Sequence, residues 1–136
     1  MINAALSNEP VSVPCNYDLP LSLGFSTFKS NGPCKVPGVT LSDLLDMVDD
    51  PYLLKIDCEG CEVEVILGHE RERLRAFEHI ILETHPHITG VSNEKLLASL
   101  KELGFECRLH MVHDPKLGVN IYRCKNSKLR QLNRTF

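Results

Sequence analysis

Two short runs bring acidic groups and histidines close together. The first is Asp57-Cys58-Glu59-Gly60-Cys61-Glu62, and the second is Glu83-Thr84-His85-Pro86-His87. A histidine beside a carboxylate can take a proton from a substrate hydroxyl near neutral pH, because its ordinary pKa lies there and the carboxylate stabilises the imidazolium. His85 is therefore the candidate general base, Glu83 the candidate orienting group, and His87 a weaker candidate. Blander roles compete. Asp57 can simply cap the helix that follows it, and Glu62, in a first helical turn, is explained by the helix dipole alone. A histidine in a proline-flanked surface turn is also common. Lys55 reaches the rim of the site or pairs with a nearby acid. Asp57, Glu59, Glu83 and His85 have the oxygen-rich chemistry that suits magnesium or manganese. Nothing in the sequence shows that they converge, so no metal is assigned.

The elements that must position these groups follow from periodicity. Thr40, with Asp43 three residues on, opens a helix bearing Leu41, Leu44, Leu45 and Val48 on one face, and Asp49-Asp50-Pro51 stops it. Tyr52 to Ile56 is a short, nearly continuous apolar run, which reads as a strand covered on both faces. A second helix runs from about Cys61 to Gly68. His69 to Arg75 is a charged, solvated stretch, and His79 to Leu82 is the next apolar strand. Asn93 caps a third helix carrying Leu96, Leu97, Leu100 and Leu103, with Gly104 at its end. Phe105–Val112 and Leu117–Cys124 form an antiparallel pair around His113-Asp114-Pro115. Met1–Leu6 makes a short strand, Ser7–Gly38 a long excursion or weak hairpin, and Lys125–Phe136 a frayed basic tail. Alternating strands and helices predict an α/β domain with a mostly parallel sheet, helices on both faces and ligands beyond the carboxyl ends of the strands. Both acidic runs fall at such ends.

The chain has 136 residues, a formal net charge of −3 and no apolar stretch long enough to span a membrane. There is no general basic field, so nucleic acid is not an expected partner. The N-terminus lacks the basic head and apolar core of a secretory leader, which favours the cytoplasm. Six cysteines could mark a disulfide framework, but the secretory context is missing. Cys58-x-x-Cys61 has no second ligand pair for zinc, because Cys15, Cys34, Cys107 and Cys124 are scattered singly. An acidic Glu-Gly pair between the thiols also disfavours thioredoxin-like redox chemistry. The adopted reading is small buried residues flanking an acidic turn.

The runs LLKIDCEGCEVEVILG and HIILETHP, the capped leucine helix ending ELGF, and the upstream VPGVTLSDLLD and INAALS resemble the FkbM-type methyltransferases over roughly residues 1 to 124. The resemblance implies a partial Rossmann-like S-adenosylmethionine-dependent methyltransferase fold, with residues 1–38 irregular, residues 39–124 the α/β core and residues 125–136 a tail. It implies O-methylation of a sugar or similar hydroxylated small molecule, with Asp57 and Glu59 at the cofactor, Lys55 and Glu62 at the substrate rim, and Glu83 and His85 catalytic. One departure stands out. No D-x-G-x-N-x-G-like turn is present, although backbone N–H groups need such a turn to approach a ligand closely. The chain is expected to begin after the strands that carry it. Strand Tyr52–Asp57 would then be an open edge, paired in a homodimer, docked on a separate chain bearing the first half, or rebuilt by residues 1–38. The rival expectation is a repurposed, inactive half-domain serving as an oligomeric interaction module.

Overall fold

A computed structural model of the chain describes residues 4–13, 15 and 32–128. In chain order the elements are β1 (Ala5–Leu6), β2 (Val11–Val13), β3 (Cys34–Val36), β4 (Gly38–Val39), α1 (Leu41–Asp46), β5 (Leu53–Ile56), α2 (Glu62–Leu67), a 3-10 helix (Arg71–Ala76), β6 (His79–Thr84), α3 (Pro86–Thr89), α4 (Asn93–Leu103), β7 (Phe105–Asp114) and β8 (Val119–Asn126). The main sheet has the order β5-β6-β8-β7. Only β5 and β6 run parallel, while β8 is antiparallel to both β6 and β7. The expectation of a mostly parallel sheet is thus corrected, although the domain is mixed α/β. The reason is topological: the β7–β8 hairpin folds back so that β8, not β7, lies beside β6.

The core explains the helices. Leu41, Ile66, Leu74, Leu82, Leu96, Leu100 and Leu103 are buried in one cluster with Ile80 and Phe105. At about 25 cal/mol per Å² of apolar surface removed from water, these side chains supply most of the driving force. α4 shows its amphipathic stripe as expected, and Gly104 ends it in the left-handed region at φ 100°, where only glycine sits without strain. Its N-cap is Ser92, whose Oγ accepts from Lys95 N at 3.3 Å. Asn93, expected to cap, instead donates to the Gly118 carbonyl at 3.0 Å. The charged stretch before β6 is not merely solvated: Leu74 is fully buried, and Arg71 donates to Ser99 Oγ and Glu102 Oε2. Lys125 and Asn126, expected in a frayed tail, belong to β8, and the buried Asn126 donates to the Arg75 and Phe77 carbonyls. Residues 129–136 lie outside the described residues.

α1 begins with the capping box expected at Thr40, in which Thr40 Oγ1 accepts from Asp43 N and Asp43 Oδ2 accepts from Thr40 N. Glu70 adds a second, non-local cap. Its Oε2 accepts from Leu41 N at 2.8 Å and its Oε1 from Ser42 Oγ at 2.6 Å. The Ser42 hydroxyl and the neighbouring amides hold the Glu70 carboxyl below its ordinary pKa. A lowered pKa contributes stability above the ordinary glutamate value, and that stability is lost as pH falls through the folded value. We expect Glu70→Ala to cost about 1 kcal/mol at neutral pH. The deficit relative to wild type should shrink in acid, as read from urea melts at several pH values.

β5 is the edge strand. Leu53 and Tyr52 are each about half exposed and Lys55 is exposed, which corrects the expectation of a strand covered on both faces. β1 pairs with β4 in a separate two-stranded sheet, so among the described residues nothing rebuilds the β5 edge. Between β1 and β5 lies a cleft of about 410 Å³ walled by Leu6, Val39, Leu54 and Ile56, with Asp57 at its end. β2 and β3 form the weak hairpin expected in residues 7–38. The segment 16–31 lies outside the described residues.

All six cysteines are paired: Cys15–Cys34, Cys58–Cys61 and Cys107–Cys124. This corrects the reading of small unlinked residues, and it leaves the C-x-x-C no thiolate with which to bind zinc. Strand register produces two of the pairs. Cys107 and Cys124 lie directly opposite in the β7–β8 ladder, and Cys34 lies opposite Val13 in the β2–β3 hairpin.

Candidate active site

The chain leaves β5 at Asp57 and must turn sharply to enter α2. Glu59 and Gly60 make that turn at φ 51° and 124°, the left-handed region, which costs a non-glycine residue about 1 kcal/mol or more. The Cys58–Cys61 bond closes the turn. Glu62 then points back under it with no solvent exposure. Its Oε2 accepts from Gly60 N at 2.8 Å, and its Oε1 accepts from His85 N at 2.8 Å. One buried carboxylate therefore ties the end of β5 to the end of β6. Glu62, expected at the substrate rim, lies wholly beneath it.

His85 follows β6 and caps α3, where its carbonyl accepts from Ile88 N and Thr89 N. Its side chain is 3% exposed. Nδ1 lies 3.4 Å from Glu62 Oε1 and makes no hydrogen bond of good geometry. Nε2 faces outward to Glu59 Oε1 at 3.5 Å and Glu83 Oε1 at 3.8 Å. Burial opposes charge on this ring, but interaction with Glu62, supplemented by Glu59 and Glu83, outweighs it and holds the His85 pKa above its usual value. Burial likewise opposes charge on Glu62, yet the His85 ring and the backbone N–H groups of Glu62 and His85 more than compensate, and its pKa is lowered.

Of the residues singled out from sequence, Asp57, Glu59, Glu83 and His85 converge. Donor atoms of Asp57, Glu83 and His85 lie within 4.8 Å of one another. Lys55 pairs with Asp57, Nζ to Oδ2 at 2.6 Å, and that carboxylate holds the ammonium pKa above its usual value. His87 stands apart from the cluster, its ring centroid 6.1 Å from that of His85. His113 was missed. Its Nδ1 sits 2.7 Å from Glu83 Oε1, reached across β8 from a strand end that sequence could place only in a turn. Glu83 Oε1 thus lies between His113 Nδ1 at 2.7 Å and His85 Nε2 at 3.8 Å, and Glu62 faces the other nitrogen of the His85 ring.

The site is thus a buried imidazole, aimed by a buried carboxylate, beneath three partly exposed carboxylates beyond two parallel strand ends. These groups lie beyond the carboxyl ends of β5 and β6, the two parallel strands of a mixed α/β domain. The chain belongs to the FkbM methyltransferase domain family, whose model matches residues 11–107. No curated protein and no solved structure matches it. No helix among the described residues is long and apolar enough to cross a membrane.

Proposed function

We propose that the domain is an O-methyltransferase in which the acceptor hydroxyl of a sugar or similar small molecule is activated at the Nε2 face of His85. The supporting observation is the Glu62–His85 pair. A carboxylate at Nδ1 favours the tautomer that leaves Nε2 as acceptor, directed at Glu59 and Glu83. Glu62 is a positioning residue. Asp57, Glu83 and Lys55 border the space where an acceptor would lie. His85 Nε2 takes the hydroxyl proton.

S-adenosylmethionine is the donor that the family implies. The cleft beside β5 offers apolar walls and the Asp57 carboxylate. Among the described residues no tight glycine turn lines it with backbone N–H groups, so these residues fit the donor only in part. S-adenosylhomocysteine should bind the chain weakly, since every loss of about 1.4 kcal/mol in contacts weakens binding tenfold. Asp57→Asn should weaken it further. Calorimetry checks this, and no heat with the wild-type chain would favour the second reading.

That second reading is an interaction module, favoured by the open edge of β5 beside an apolar cleft, onto which a second copy or a separate chain would add a strand. We also place the chain in an oxidising compartment rather than the cytoplasm, because three disulfides persist where thiols are not kept reduced.

A further inference from the structure

We propose that Arg108 and Arg123 form a binding site for a phosphate monoester on the outer face of the main sheet, at the end remote from His85. Successive side chains of a strand point to opposite faces. Ile80, Tyr122 and Cys124 point into the core, so Arg123 and Lys125 stand on the other face, and Arg108 stands there with them. Arg108 and Arg123 lie directly opposite in the β7–β8 ladder, and both are exposed. Like charges placed in this way destabilise a strand pair. Among the described residues, neither guanidinium has a carboxylate partner, and the neighbour of Arg123 is a histidine ring.

The pair is held in place. Cys107 and Cys124, the next rung of the same ladder, are disulfide-bonded, so the register that opposes the two arginines is fixed covalently. Arg123 Nη2 donates to His110 Nε2 at 3.2 Å, which orients that guanidinium. The two arginines, with His79, Glu106, His110 and Lys125, line a depression of about 490 Å³. Its carboxylate, Glu106, lies opposite Lys125 in the ladder. Lys125 Nζ and His79 Nε2 both approach Glu78 Oε1, at 3.9 and 3.3 Å. The nearby carboxylates thus answer the lysine, and among the described residues the arginine pair stays unanswered on a chain whose formal net charge is −3.

The chemistry of the pair selects the ligand. Each guanidinium is a planar fork of donors that matches phosphate oxygens. Directly opposed strand residues have Cβ atoms about 5 Å apart, close enough for both forks to reach one tetrahedral anion. A phosphate monoester carries about two negative charges at neutral pH, which balances the two arginines. A carboxylate carries one charge and is satisfied by a single fork. β6 runs from His79 at the depression to Thr84 beside the acidic turn, roughly 17 Å at about 3.3 Å per residue. The site therefore anchors a phosphorylated ligand away from the reacting hydroxyl, and it does not rest on the methyl-transfer reading.

Calorimetry and thermal melts of the disulfide-bonded chain with inorganic phosphate and with a hexose monophosphate, at low and constant ionic strength, test the site. The unphosphorylated hexose is the blank. We expect one saturable site per chain and a Tm that rises with ligand. Affinity should fall at least about tenfold in Arg108→Gln and in Arg123→Gln. Lys116→Gln, which removes the same charge in the β7–β8 turn, should bind as wild type does. Without ligand, both arginine variants should melt at or above the wild-type temperature, because the opposed charges are gone, and this shows that they fold. Tighter binding of the hexose monophosphate identifies a phosphorylated small molecule as the ligand, whereas equal or tighter binding of inorganic phosphate identifies the free anion, and either upholds the site. No saturable binding of either probe at millimolar concentration, or equal binding by wild type and the two arginine variants, overturns it. Absence of methyl transfer would leave this result untouched.

Discussion

Glu62→Gln lowers the stability of the domain by roughly 3 kcal/mol, or about 10 °C in Tm. The substitution preserves shape, so the effect isolates chemistry. Both carboxylate oxygens of Glu62 are acceptors, one for Gly60 N and one for His85 N. A glutamine has one acceptor oxygen, and its amide group would point donor hydrogens at a donor. One backbone N–H is then left unsatisfied at a site with no access to water, and the favourable interaction with the His85 ring is lost. Glu64→Gln, two residues along the same helix and exposed, serves as the control and should stay within about 0.5 kcal/mol of wild type. Equal stability of the Glu62 variant would show that this residue does not join the strand ends.

His85→Gln lowers methyl-transfer turnover about a hundredfold or more, the size expected when a positioned proton acceptor is removed. The replacement retains a hydrogen-bonding group in a buried place, and the backbone N–H that Glu62 receives does not depend on the side chain. Folding is therefore retained, and the KM for the donor should change by no more than about twofold.

Much of the local structure was legible in the sequence. The Thr40 capping box, the leucine stripe of α4, its Gly104 terminus and the β7–β8 hairpin rest on short-range rules, and all four are present. The order of the sheet was not legible, because nothing local dictates that β8 rather than β7 lies beside β6. β5 read as buried because apolar runs alone do not distinguish a central strand from an edge. The disulfides depend on register: Cys107 meets Cys124 only once the hairpin is aligned. At the site, the residue types and their location at strand ends were visible, but the roles were not. Glu62 looked like a helix-dipole carboxylate and proved to be the buried tie. The contact of His113 with Glu83 is made across an intervening strand, which no spacing in the sequence encodes.

The central claim, that a hydroxyl is activated at the Nε2 face of His85, is tested most directly by transfer of a radiolabelled methyl group from S-adenosylmethionine. Wild type, His85→Gln and His87→Gln would be compared across a panel of sugars and similar hydroxylated small molecules. Transfer by wild type and by the His87 variant, with at least about a hundredfold loss in the folded His85 variant, is the expected result. Equal turnover in the His85 variant, or no transfer by wild type to any acceptor, would contradict it.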